Sequence, residues 1–74
     1  MFLQRTIYSD QGTRSSMALE PPFWRALDHI AAERDEHWLD WVERELEGRP
    51  EHINKSSWIR SCVTECLLID YQLR

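Results

Sequence analysis

The chain has no apolar run near the roughly 20 residues that a membrane-spanning helix needs. Its opening residues, Met1 to Leu3, are too short an apolar run for a secretory leader. Two cysteines, Cys62 and Cys66, cannot build a disulfide framework. Their four-residue spacing suits two reduced thiols on one helix face better than a bridge. His29, His37 and His52 stand at no ligand-like spacing to the cysteines or to one another, so no metal centre is expected. No nucleophile motif or phosphate loop accompanies the acidic residues, and paired carboxylates do acid–base work only in a cleft that shifts their pKa values. Neither catalysis nor a cofactor is therefore expected, and the cytoplasm is the expected location.

What remains is a chain of 74 residues, rich in aromatics for its size: four tryptophans, two tyrosines and two phenylalanines. A domain this small buries only about 60% of the surface its unfolded chain exposes. A second copy of the chain is the expected source of the missing stability. The net charge of -4 is unevenly spread. Residues 20–54 hold four arginines against ten acids, whereas residues 1–19 and 55–74 each carry one net positive charge. Such a distribution fits one solvated acidic face and a separate face able to meet phosphate.

Residues 13–19 alternate, with Ser15, Met17 and Leu19 on one side and Arg14, Ser16 and Ala18 on the other. That period predicts a half-buried strand. Residues 3–9 read weakly as another strand, followed by a turn signal at Asp10, Gln11 and Gly12. Pro21 and Pro22 suit a first helical turn. Phe23, Trp24, Leu27, Ile30 and Ala31 then repeat at helical spacing, and Trp38, Leu39, Val42 and Leu46 continue the pattern. A helix is predicted over about 21–47, with a bend near residue 35 left open. Gly48, Arg49 and Pro50 end it. Asn54 or Ser56 caps the next helix, predicted over about 56–71 along the stripe Ile59, Cys62, Val63, Cys66 and Leu67. The expected order is strand, helix, helix in a single domain over residues 1–74.

Three constellations bear on function. A lone strand needs a partner, either a second copy of itself or residues 3–9, and a two-stranded ribbon fits the major groove of DNA. Ser56 and Ser57 open the last helix, with Lys55 before them and Arg60 one turn later, an arrangement suited to phosphate. Glu36, Asp40, Glu43 and Glu47 follow one another at helical steps and read as a solvated acidic face.

The run GTRSSMALE from Gly12 to Glu20, continued by PPFWRALDHIAAERD, resembles bacterial ribbon-helix-helix domains: a glycine, a threonine- or serine-rich strand, Leu-Glu, and a Phe-Trp helix start. NKSSWIRSCVTECLL resembles the second helix of those domains, and the likeness covers roughly residues 5–69. The resemblance to the Arc and methionine repressors is one of architecture. It implies a mostly helical homodimer with a short N-terminal strand, whose intermolecular two-stranded antiparallel ribbon enters the major groove. By position it assigns base readout to Arg14, Ser16 and Ala18, and phosphate contacts to the helix start at Ser56 and Ser57. Ala18 stands where the family usually has a polar residue.

The expected function is sequence-specific binding of double-stranded DNA as a transcriptional repressor or autoregulator. The alternative is a protein-interaction module on the same fold, antitoxin-like or regulatory, engaging its partner through the acidic middle helix and the tryptophans.

Overall fold

The structure is a computed structural model that describes residues 1–8 and 12–72. Two strands, β1 (Leu3–Tyr8) and β2 (Arg14–Leu19), precede three helices, α1 (Pro21–Glu33), α2 (Trp38–Glu47) and α3 (Lys55–Gln72). The sequence order of strand, helix, helix thus gains a strand, and the long first helix is split in two. Of the turn signal, Asp10 and Gln11 lie outside the described residues. Gly12 sits at φ +77, a conformation glycine adopts without steric cost.

The two strands form an antiparallel sheet within one chain, Leu3 facing Leu19 and Tyr8 facing Arg14. Of the two partners left open for residues 13–19, the structure uses the chain's own N-terminal segment. The ribbon's inner face buries Ile7, Met17 and Leu19 against Trp24, Leu27, Ile30, Trp41, Val42, Ile59 and Val63. Among the described residues no polar or charged side chain is buried in that core.

The split between α1 and α2 has a backbone cause. Asp35 takes φ +54, the left-handed region that Asp tolerates better than most residues, and Glu36 N–H closes back onto Ala31 O at 2.9 Å. α2 then starts afresh, with His37 Nδ1 accepting from Leu39 N–H at 3.2 Å. The break lets Trp38 turn its ring edge-on to Trp24, with centroids 5.7 Å apart, while Trp41 enters the core. α3 is capped by Asn54, whose Oδ1 accepts from Ser57 N–H at 2.8 Å.

β1 is anchored by an inward cation. Arg5 stacks its guanidinium over Trp24 at 4.3 Å and Trp38 at 4.9 Å and forks onto the Asp28 carboxylate at 2.7 and 2.8 Å. Trp24 Nε1 donates to Leu3 O at 2.7 Å. A bidentate pair of this geometry adds direction as well as attraction, so β1 is fixed to the helices as well as to β2.

Candidate nucleic-acid interface

Because strand side chains alternate, burying Ile7, Met17 and Leu19 turns the other row outward. On β2, Arg14 and Ser16 are exposed and Ala18 is half-buried. Across from them, Tyr8, Thr6 and Gln4 of β1 are exposed. Thr6, Arg14 and Ser16 share a shallow depression with Ser15. Neither strand contains an acid.

Beside the ribbon lies an open concavity of about 650 Å³, lined among others by Ser16, Ala18, Arg49, Lys55, Ser56 and Arg60. The fold thus brings residues of the strand and of the α3 start to one place. Three cations line it, and no carboxylate does among the described lining residues. Ser56 Oγ donates to Ala18 O at 3.0 Å, tying the helix start to the strand backbone. Lys55 Nζ reaches Ser15 Oγ at 3.4 Å, a long contact that leaves the ammonium free to turn. Ser57 is exposed but does not line the concavity, and its N–H is already held by Asn54. Arg60 is engaged too: its Nε donates to Glu20 Oε1 at 2.9 Å, and the guanidinium lies near the rings of Phe2 and Phe23. Hydrogen bonding from its own backbone N–H, and then from Arg60, holds the Glu20 carboxyl below its ordinary value.

Sequence reasoning did not single out Arg49, which donates from Nη1 to Ile53 O at 2.6 Å. It is placed by loop carbonyls, a contact that no periodicity announces. Gln4, Thr6 and Tyr8 were also passed over, although their period of two is visible once residues 3–8 are read as a strand.

Most of the described acidic residues lie on the three helices and none on the strands. Asp40 and Glu47 are exposed on α2. Glu36 precedes that helix and pairs with Arg44, which holds its carboxyl below the ordinary value. Among the described residues no group of His, Cys, Asp and Glu is placed to hold a metal ion, and no helix is long and apolar enough to cross a membrane.

Cys62 and Cys66 are free thiols, each half-buried at the edge of the core. Burial first, then the charge of Glu45 and a hydrogen bond to it, push the Cys62 thiol from 9.0 up to about 12. Between those values an unfolded chain gives up the proton while the folded one keeps it, so the folded state loses stability as pH climbs through that window. In Cys66→Ala protein the ultraviolet thiolate band of Cys62 is expected to be missing at pH 9.0, where an ordinary thiol is half ionised, and to appear at that pH on adding denaturant. A half-developed band in the folded protein would contradict this.

No curated protein and no solved structure matches the chain. A family match does exist, to the ribbon-helix-helix domain, over residues 9–67. That span takes in β2 and all three helices up to Leu67, and it agrees with a sheet of two antiparallel strands followed by helices. The chain belongs to the ribbon-helix-helix family.

Proposed function

We propose that the protein is a sequence-specific binder of double-stranded DNA and acts as a transcriptional repressor or autoregulator. The outward row of the ribbon reads base edges, with Arg14 and Ser16 in the lead and Ala18 offering only apolar contact. Lys55, Ser56, Ser57 and Arg60 meet phosphate at the start of α3, joined by Arg49. The observation that carries this reading is the distribution of charge: among the described residues no acid lies on either strand or in the lining of the cationic concavity beside them. Membership of a family typical of DNA-binding regulators and antitoxins supports it. Arg60 exchanges its Glu20 partner for phosphate on binding, and Lys55 leaves Ser15.

The binding unit is a homodimer. α3 buries Ile59 and Val63 on one side but leaves Leu67, Leu68, Ile69 and Tyr71 exposed toward its C-terminal end. A second copy covering those side chains supplies the burial that so small a chain lacks. The protein-interaction alternative draws on the acidic face of α2, but the tryptophans beside that face turn inward: Trp41 is fully buried and Trp38 packs on Trp24.

The test is selection of bound sequences from random double-stranded DNA at moderate salt. An enriched inverted repeat is expected, since two copies related by a two-fold axis read two half-sites. Absence of any enrichment would overturn the DNA-reading function and move the protein-interaction module ahead.

A further inference from the structure

We propose that the cavity between α2 and α3 is a binding site for a small primary ammonium ion carrying a short apolar chain. The site shares no lining residue with the cationic concavity and none with the strands, so its occupation does not depend on DNA reading.

The cavity holds about 230 Å³. A water's share of liquid volume is about 30 Å³, so the space suits an occupant of several non-hydrogen atoms. Glu45 of α2 forms one wall, and Trp58, Ser61, Cys62, Glu65, Cys66 and Ile69 of α3 form the other. The α3 residues recur at helical steps, which sets them on neighbouring rows of one face. The two walls are tied together, because Trp58 Nε1 donates to Glu45 O at 2.7 Å. Trp58 also packs on the core. Its ring is thus in place before any ligand arrives, and little ordering remains to be done on binding.

The charge of the lining selects a cation. Two carboxylates line the cavity, and no Lys, Arg or His does among the described lining residues. Asp28, Glu20 and Glu36 each hold an arginine. Glu45 is half-buried and has no such partner among the described residues. What meets its carboxylate is the Cys62 thiol, a weak donor. A half-buried carboxylate with spare acceptor capacity gains more from a cation than an exposed one does. Arg34 Nη2 lies 3.7 Å from Cys66 Sγ and pairs with neither carboxylate.

The lining also fits the form of the cation. A primary ammonium carries three N–H donors, and the Glu45 and Glu65 carboxylates and the Ser61 hydroxyl are acceptors for them. The face of the Trp58 indole attracts the same charge. Cys62, Cys66 and Ile69 give the chain behind the nitrogen an apolar wall. A quaternary ammonium keeps the attraction to ring and carboxylates but cannot donate. An alcohol of the same length keeps the chain and lacks the charge.

The experiment titrates n-butylammonium, n-butyltrimethylammonium and n-butanol into isotope-labelled protein at fixed ionic strength. Nuclear magnetic resonance follows the Trp58 indole N–H and the backbone N–H groups of Glu45, Ser61 and Glu65. Saturable shifts confined to these groups are expected with n-butylammonium, weaker binding with the quaternary ion, and none with n-butanol. Glu45→Gln and Glu65→Gln should each weaken n-butylammonium about tenfold, the loss of one hydrogen bond to a charged group. Glu65 is exposed, so Glu65→Gln keeps the fold and decides the matter if Glu45→Gln does not fold. Unsaturable shifts spread over Asp40 and Glu47 would overturn the site, by showing only general attraction to an acidic surface. Equal binding of n-butanol or of the quaternary ion, or full affinity in Glu65→Gln, would overturn it as well.

Discussion

Arg14→Ala is expected to flatten the preference between the best site and its single-base variants, by about 1–3 kcal/mol at the affected base pair. The side chain is exposed on the outward row, with Ser16 in the same depression and Met17 buried on the opposite face. Lys55→Ala serves as the contrast. Lys55 lines the concavity at the start of α3; in the proposed complex its ammonium meets phosphate and carries no sequence information. Its loss should weaken all sites about equally and reduce the salt slope by about one. Titrations of both variants against matched and mismatched duplexes at several salt concentrations separate the two roles. Full discrimination by Arg14→Ala would remove β2 as the reader.

The largest effect on stability is expected at Trp41. The side chain has no exposed surface, and it packs in the core with Leu27, Val42, Ile59 and Val63. Trp41→Ala should cost about 3–5 kcal/mol. A chain of this size holds only about 4–11 kcal/mol in all, so the variant is expected to lose a large share of its stability. Trp41→Phe should behave differently. The indole N–H is buried with no hydrogen-bond partner among the described residues. A donor left unpaired costs about 1–3 kcal/mol, and phenylalanine removes it. That gain offsets much of the lost packing, so urea denaturation should place Trp41→Phe far closer to wild type than Trp41→Ala. Equal losses in the two variants would show that the N–H is satisfied in solution.

The helices were legible because their cores repeat at helical spacing: Trp24, Leu27, Ile30 and Ala31 on α1, Ile59 and Val63 on α3. β2 was legible from the alternation of Met17 and Leu19 with Arg14, Ser16 and Ala18, which also assigned the outward side. The division of the first helix was legible only as an open bend near residue 35. Asp35 in a left-handed conformation and His37 as a cap are local choices that propensity does not demand, since His is not among the favoured capping residues. β1 was faint because its inward row is Leu3, Arg5 and Ile7. A cation in the middle breaks the apolar alternation, and only residues from α1 and α2 make it welcome there. At the candidate site, the phosphate set was placed by position along α3. That Arg60 already holds Glu20, 40 residues away in sequence, follows from packing alone.

The separation of charge has a consequence for encounter. Residues 20–54 are strongly acidic and supply the first two helices, which lie behind the inner face of the ribbon, while the strands hold only cations and neutral groups. Among the described residues the charge is therefore unevenly divided, with the strands on the more positive side. Near any polyanion the field applies a torque before contact, repelling the helical end and swinging the strands forward. Added salt shortens the reach of that torque to about 10 Å at 0.1 M ionic strength, so the protein loses its pre-orientation well before it loses its fold.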